Sequence, residues 1–201
     1  MNQNISQDER VSLIGVSSRR RFLQGSLACV AGVYAAPSLA LPPQDDRMGP
    51  VEQRRLRVVN ANTWEKLDLV YWRDGRYIRN HIGQLNYLMR DHRAKKSFLM
   101  DVKLYDFLFR LHGSLVTSEH IHILSAYRTP ETNKYLRKTS LGVARKSLHV
   151  KGRAVDIYIP GIDPDAIQKA ARQLELGGVG YYQSKGFVHL DTGYTRHWVR
   201  S

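Results

Sequence analysis

Six short runs rich in β-branched, aromatic and other apolar residues, each bounded by turn residues, predict β-strands. They cover residues 56–60, 67–72, 121–125, 154–159, 179–182 and 187–190. The turn sequence Asp74-Gly75 follows the second run, and we expect the first two strands to pair.

Helical spacing of apolar positions, or the signals that begin and end helices, predict four helices over residues 79–90, 102–111, 131–137 and 163–176. Thr129-Pro130 begins the third helix, Pro164 lies in the first turn of the fourth, and Gly177-Gly178 ends it. Helices early in the chain and short strands late in it favour the α+β class.

The first 40 residues have the pattern of an export signal. Arginines at 19 and 20 precede an apolar run of eleven residues, 26–36, which is too short for a membrane-spanning helix. The pattern resembles a twin-arginine signal, and cleavage is expected after Ala40. An uncleaved anchoring helix is the alternative, and a lipoprotein modified at Cys29 is a weaker one. Residues 41–53, rich in proline and polar groups, are predicted to be a flexible linker to a domain at 54–201.

Composition narrows the classes of protein. The 201 residues are 42% hydrophobic, which suits one core of modest size, and the net charge of +13 points to a polyanionic partner such as nucleic acid, anionic lipid or an acidic cell-wall polymer. The single cysteine excludes an intramolecular disulfide framework and a cysteine-rich zinc ribbon, so a metal site must use histidines and carboxylates.

Histidines and carboxylates recur on two of the predicted strands. Side chains alternate along a strand, so Asp156 faces away from the apolar side of its strand, and His189 and Asp191 share one face of theirs. Gly152 permits a turn that brings His149 back beside Asp156. Two histidines and one aspartate suit zinc with one position left open for water. The spacing alone is equally compatible with hydrogen-bonded structural residues.

The motif Ser-x-His-x-x-Gly-x-Ala-x-Asp-Ile at 147–157, with Ser-Ala-Tyr-Arg at 125–128, resembles the zinc motif of the superfamily of D-Ala-D-Ala carboxypeptidases, vancomycin-resistance dipeptidases and hedgehog proteins. Residues 54–198 as a whole resemble the YcbK-like murein endopeptidases. The resemblance implies a small antiparallel sheet that carries the zinc site and is flanked by helices. It also implies an exported enzyme acting on peptidoglycan.

Carried over residue by residue, the resemblance makes His149, Asp156 and His189 the ligands of one Zn²⁺ ion. It makes Arg128 a cation near the scissile carbonyl or the developing oxyanion. For Arg128 the alternative is an ordinary surface or structural ion pair.

One departure from the family concerns the general base. Relatives with a glutamate three residues before the last histidine use it as the base, but this position is Gly186 here. Asp191, on the strand face of His189, is the predicted substitute. The alternative, given equal weight, is that Asp191 only orients a ligand histidine.

Other polar and aromatic residues have weaker signals. Ser147 is expected to form a turn hydrogen bond, and His120 and His122 to lie on a solvated strand face. Aromatic residues that could floor a groove or belong to the core are Tyr181, Tyr182 and Trp198. Basic residues that could attract the carboxylates of stem peptides, or be merely solvated, are Arg137, Lys138, Arg145, Lys146, Lys151 and Arg153.

The sequence therefore predicts a periplasmic zinc metallopeptidase that hydrolyses peptidoglycan stem peptides, as a cross-link endopeptidase more than as a carboxypeptidase. The alternative is a non-catalytic zinc-bearing module that binds cell-wall polymer or a protein partner. Nucleic acid is not expected as a partner, because no binding signature accompanies the basic residues. No integral membrane segment is expected after signal cleavage.

Overall fold

A computed structural model describes residues 52–140 and 142–201. The predicted signal peptide, 1–40, and all but the last two residues of the predicted linker lie outside these ranges. The first strand begins at Gln53, one residue before the predicted start of the domain.

One mixed sheet of eight strands runs through the described residues, in the order β3-β2-β1-β4-β5-β7-β6-β8. The strands are β1 (Gln53–Asn60), β2 (Lys66–Arg73), β3 (Arg76–Tyr77), β4 (Ile121–Ser125), β5 (Ala154–Tyr158), β6 (Gly178–Tyr182), β7 (Phe187–Asp191) and β8 (Arg196–Arg200). All six predicted strands are present, and β1 and β2 pair as expected.

The expectation of a small antiparallel sheet is corrected in two respects. The sheet is large, because β3 and β8 extend its two edges. It is also mixed, because β1 pairs with β4 and β6 pairs with β8 in parallel. The first parallel pair follows from the two helices that lie between β1 and β4 along the chain, since a parallel return needs a long crossover.

All four predicted helices are present. They are α1 (Arg79–Leu88), α2 (Val102–Ser114), α3 (Pro130–Thr139) and α4 (Pro164–Gln173), and two short 3-10 helices cover Leu148–Lys151 and Gln183–Lys185. Asp101, Thr129 and Asp163 accept backbone N–H groups at the starts of α2, α3 and α4. None of the helices among the described residues is long and apolar enough to cross a membrane.

The core lies where α2 and α4 pack against one face of the sheet. Its fully buried members include Leu104 and Leu108 of α2, Ile167 of α4, and Val155 and Ile157 of β5. The apolar side chains of β5 thus lie in the core. Because side chains alternate along a strand, its polar half lies on the opposite face, where the candidate site is found.

Candidate metal centre and active-site cleft

Neighbouring strands bring Asp156 and His189 together. The antiparallel register of β5 and β7 places these two residues directly opposite each other, so their side chains share one face of the sheet. His189 Nδ1 lies 2.8 Å from Asp156 Oδ1.

A glycine turn places His149 beside this pair. His149 lies in the 3-10 helix that ends at Gly152, whose φ of +63° is left-handed. A side chain at Gly152 would lie 2.7 Å from the Leu99 carbonyl oxygen, so both conformation and space require glycine. His149 Nε2 comes to 3.3 Å from both His189 Nδ1 and Asp156 Oδ1.

The three side chains fit one metal ion. One ligand atom from each lies within 4.8 Å of the others, and this is the one such group found among residues 52–140 and 142–201. His149 Nδ1 donates to the Ala126 carbonyl oxygen at 2.6 Å, which leaves the Nε2 lone pair facing the other two residues. His189 Nε2 lies 3.1 Å from Asp191 Oδ2 and can donate to it, so its Nδ1 is the metal-facing atom.

Protonation states also suit a metal. Burial by itself would raise the pKa of Asp156, but His149 and His189 outweigh it and hold the pKa far below its usual range. Burial lowers the pKa of His149, so its imidazole is neutral at neutral pH. The pKa of His189 is raised, since hydrogen bonds to Asp156 and Asp191 outweigh burial. A metal therefore competes with a proton for His189.

Arg128 lies beside the carboxylate of this group. It follows β4, and its backbone N–H donates to the His149 carbonyl oxygen at 3.2 Å. Its buried guanidinium places Nη2 3.6 Å from Asp156 Oδ2, while Nε has no hydrogen-bond partner in the described part of the chain. Burial lowers the pKa of Arg128, although Asp156 opposes this. Arg128 lines the cleft described below and is not a surface residue.

A residue absent from the sequence predictions supports Arg128. Asp91 Oδ2 accepts the Thr129 N–H at 2.9 Å and the Thr129 hydroxyl at 3.1 Å, and Asp91 Oδ1 accepts N–H groups of Arg93 and Ala94. This buried carboxylate fixes the segment that follows Arg128. No local pattern identifies it, because it lies 38 residues from Thr129 along the chain.

Asp191 is fully buried and fully engaged. Its Oδ2 lies near His189 Nε2 and 2.6 Å from Arg196 Nη2, while Oδ1 accepts Arg196 Nη1 at 2.9 Å and the Gly193 N–H at 2.8 Å. Burial alone would raise the pKa of Asp191, but these hydrogen bonds lower it. The contacts favour the role of orienting His189, and the role of general base stays a prediction.

The candidate site opens into a cleft of about 320 Å³ that is strongly cationic. Its only carboxylates among the described residues are Asp156 and Asp191. Six cationic side chains line it, namely Arg93, Arg128, Lys146, Lys185, Arg196 and Arg200. Of the six basic residues selected from the sequence, only Lys146 is in this set. The sequence correctly indicated an excess of positive charge and mostly missed which residues direct it into the cleft.

The remaining candidates have defined places. Ser147 accepts the His149 N–H at 3.3 Å, which is the expected turn hydrogen bond. His122 Nδ1 lies 2.9 Å from the Tyr158 hydroxyl, and His120 joins no metal-binding group in the described residues. Trp198 and Tyr182 line the cleft, whereas Tyr181 packs against the core.

Comparison with known proteins identifies the family. The family model Peptidase_M15_2, described as peptidoglycan L,D-endopeptidase MepK, matches residues 49–198. Peptidoglycan L,D-endopeptidase MepK of Escherichia coli (strain K12) is 40% identical over 184 residues, which is 90% of this chain and 97% of the relative. A probable peptidoglycan L,D-endopeptidase MepK of Haemophilus influenzae is 35% identical over 146 residues, which is 72% of this chain and 78% of the relative. No match was found among solved structures. The chain therefore belongs to the Peptidase_M15_2 family of zinc peptidases, whose model is described as peptidoglycan L,D-endopeptidase MepK.

Proposed function

We propose that this protein is an exported zinc-dependent endopeptidase that hydrolyses L,D-cross-links between peptidoglycan stem peptides. The observation that carries the proposal is the convergence of His149, Asp156 and His189 beside Arg128 in a cationic cleft. The chain aligns over 90% of its length with a relative named for this activity.

In this proposal His149, Asp156 and His189 hold one zinc ion. Two imidazole nitrogens and one carboxylate oxygen suit zinc, and three protein ligands leave a coordination position open. When bound, zinc supplies a Lewis acid for the scissile carbonyl and activates water as a nucleophile at neutral pH. The Ala126 carbonyl and the Asp191 carboxylate hold the two imidazoles in the tautomers that this binding requires.

Arg128 is proposed to stabilise the carbonyl oxygen as negative charge develops on it. Its guanidinium is buried beside Asp156, and its backbone N–H is held by His149, so we expect little reorganisation during the reaction. Its Nε is buried without a hydrogen-bond partner in the described part of the chain, a cost in stability that supports a functional reason for keeping an arginine here.

We assign Asp191 to positioning, because both its oxygens are engaged by His189, Arg196 and Gly193. Asp191 as the general base is the competing assignment. No other residue is an evident base. Gly186 replaces the family glutamate, and the remaining His and Asp side chains of the described cleft are the three proposed ligands.

Export to the periplasm by the twin-arginine pathway is part of the proposal and is supported by the arginines at 19 and 20 before the apolar run. Replacing both arginines by lysine should retain the protein in the cytoplasm. Cell fractionation measures this, and unchanged periplasmic protein would contradict the assigned pathway.

Muropeptide analysis of purified sacculi tests the enzymatic activity. The zinc-loaded protein should remove L,D-cross-linked dimers, and a chelator or His189→Ala should abolish the loss. His197→Ala is a matched control, because His197 is an exposed residue of β8 that does not line the cleft. Intact dimers in the presence of folded, zinc-bound protein would refute the proposal.

A non-catalytic module that binds cell-wall polymer is the second candidate. The observation that favours it is that both carboxylates of the described cleft are engaged, Asp156 by the two histidines and Asp191 by His189 and Arg196. Stoichiometric zinc binding and sedimentation with sacculi, without any change in muropeptides, would be its signature.

A further inference from the structure

Strand β8 forms one wall of the cleft. It pairs with β6 in parallel at the edge of the sheet, and alternate residues face the site: Arg196, Trp198 and Arg200 line the cleft. His197 and Val199, between them, do not line it. Arg196 is held by Asp191, which leaves Trp198 and Arg200 on this face for a molecule bound at the proposed metal centre.

The register across the sheet places Trp198 next to His189. Asp156, His189, Gly180 and Trp198 lie opposite one another on β5, β7, β6 and β8. A side chain at Gly180 would overlap the indole, so the glycine allows Trp198 to lie across β6. The indole centroid is 5.4 Å from that of His189. An apolar surface thus adjoins the metal centre.

Arg200 supplies a cation next to this surface. It lies two residues beyond Trp198, a distance of about 7 Å along a strand. Its guanidinium carbon is 5.9 Å from the centre of the Tyr182 ring, and the group reaches Gly142 in the loop before the metal motif. Within residues 52–140 and 142–201, no carboxylate pairs with Arg200, whereas Asp191 neutralises Arg196.

We propose that Trp198 and Arg200 form a specificity subsite for the residue that adjoins the scissile bond. The inference rests on the proposed endopeptidase function. The subsite fits an aliphatic chain that ends in a free carboxylate, the chemistry of diaminopimelate. The methylene groups lie on the indole, and the carboxylate pairs with the Arg200 guanidinium.

Two synthetic cross-linked dimers test this subsite. They differ only in whether the carboxyl group at the far end of the diaminopimelate chain, separated from the scissile amide by the methylene groups, is free or carboxamide. The full-length zinc-loaded protein should cleave the free acid with a kcat/KM about 10- to 100-fold higher, as expected for a charge-assisted hydrogen bond.

Arg200→Gln should lower kcat/KM for the free acid to the level of the amide and leave the amide within about threefold. Trp198→Ala should lower kcat/KM equally for both substrates, because the contact with the indole does not depend on the charge of the substrate. Arg76→Gln is the matched control, since Arg76 is an exposed arginine of β3 at the opposite edge of the sheet. It should keep the discrimination of the unmodified protein.

The affinities for the two corresponding uncross-linked peptides, measured by calorimetry, test the subsite independently of the proposed function. Hydrolysis of both dimers without discrimination, or discrimination that survives Arg200→Gln, overturns the subsite and leaves the endopeptidase function standing. If neither dimer is hydrolysed, but the protein binds the free acid more tightly than the amide and Arg200→Gln removes this preference, the proposed function is overturned and the subsite is supported.

Discussion

Replacing Asp191 by asparagine distinguishes a positioning carboxylate from a general base. The substitution keeps the shape of the side chain and an oxygen that can accept from His189 Nε2. It removes the negative charge. It also places an NH₂ group opposite the N–H groups of Arg196 and Gly193, which now donate to Asp191 Oδ1. The hydrogen-bond partner of a proposed zinc ligand is thus weakened without a cavity being created.

The magnitude follows from these contacts. Loss of the carboxylate behind a ligand histidine weakens metal affinity by about 10- to 100-fold, which is about 1.4 to 2.8 kcal/mol. Loss of the charge-assisted hydrogen bonds should also lower the free energy of unfolding of the metal-free protein by about 1.5 to 3 kcal/mol. At saturating zinc, kcat should stay within about tenfold of the unmodified protein, since removal of a base costs about 100- to 10,000-fold.

Zinc affinity is measured by competition with a chromophoric chelator, unfolding by denaturant titration of the metal-free protein, and kcat on a cross-linked dimer at saturating zinc. Asp165→Asn is the control, because Asp165 forms an exposed pair with Lys169 on α4 at 2.6 Å. It should change none of the three quantities measurably. A fall in kcat of a hundredfold or more with unchanged zinc affinity would refute the positioning role and make Asp191 the base.

Three further changes test other parts of the site. Arg128→Gln should lower kcat by about 100- to 1,000-fold without weakening zinc binding; an unaltered kcat at saturating zinc would exclude a role in the transition state. Gly180→Ala should displace the Trp198 indole, shift its fluorescence and lower kcat/KM. It should also lower the free energy of unfolding by about 1 to 3 kcal/mol. Unchanged fluorescence and kinetics would show that the indole position does not matter. Asp91→Asn should cost about 1 to 3 kcal/mol of unfolding free energy at pH 6 through its hydrogen bonds to Thr129. Because the pKa of Asp91 is lowered in the fold, its stabilisation is present above the ordinary value of 3.8 and is lost as the pH falls through the folded value. The difference between the two proteins in chemical denaturation should therefore narrow below pH 4, and a constant difference would contradict this.

The candidate ligands could be proposed from the sequence because the motif that carries the family resemblance is local. His149 and Asp156 lie in one motif with the glycine that turns the chain between them, and alternation along a strand separates Asp156 from its buried neighbours. The six strands and four helices likewise have apolar patterns or caps of their own. Each of these features needs only a few consecutive residues.

Strand β8 shows what local signals leave out. Its sequence, Arg-His-Trp-Val-Arg, has the composition of a polar surface segment, and it becomes a strand because β6 offers a free edge. Only the register of that pairing places Trp198 over Gly180 and Arg196 against Asp191. The same holds for the parallel pairing of β1 with β4, which depends on two intervening helices.

The sequence by itself thus determined six of the eight strands, the four helices, the α+β class and the excess of positive charge, and the family resemblance added the three candidate ligands. Tertiary structure alone decided the size and mixed direction of the sheet, the engagement of Asp191 and the cations that face the cleft. The reason is physical. A hydrophobic pattern of a few consecutive residues is enough to select which face of an element is buried. Strand order, register and charge partners instead depend on contacts between segments far apart along the chain.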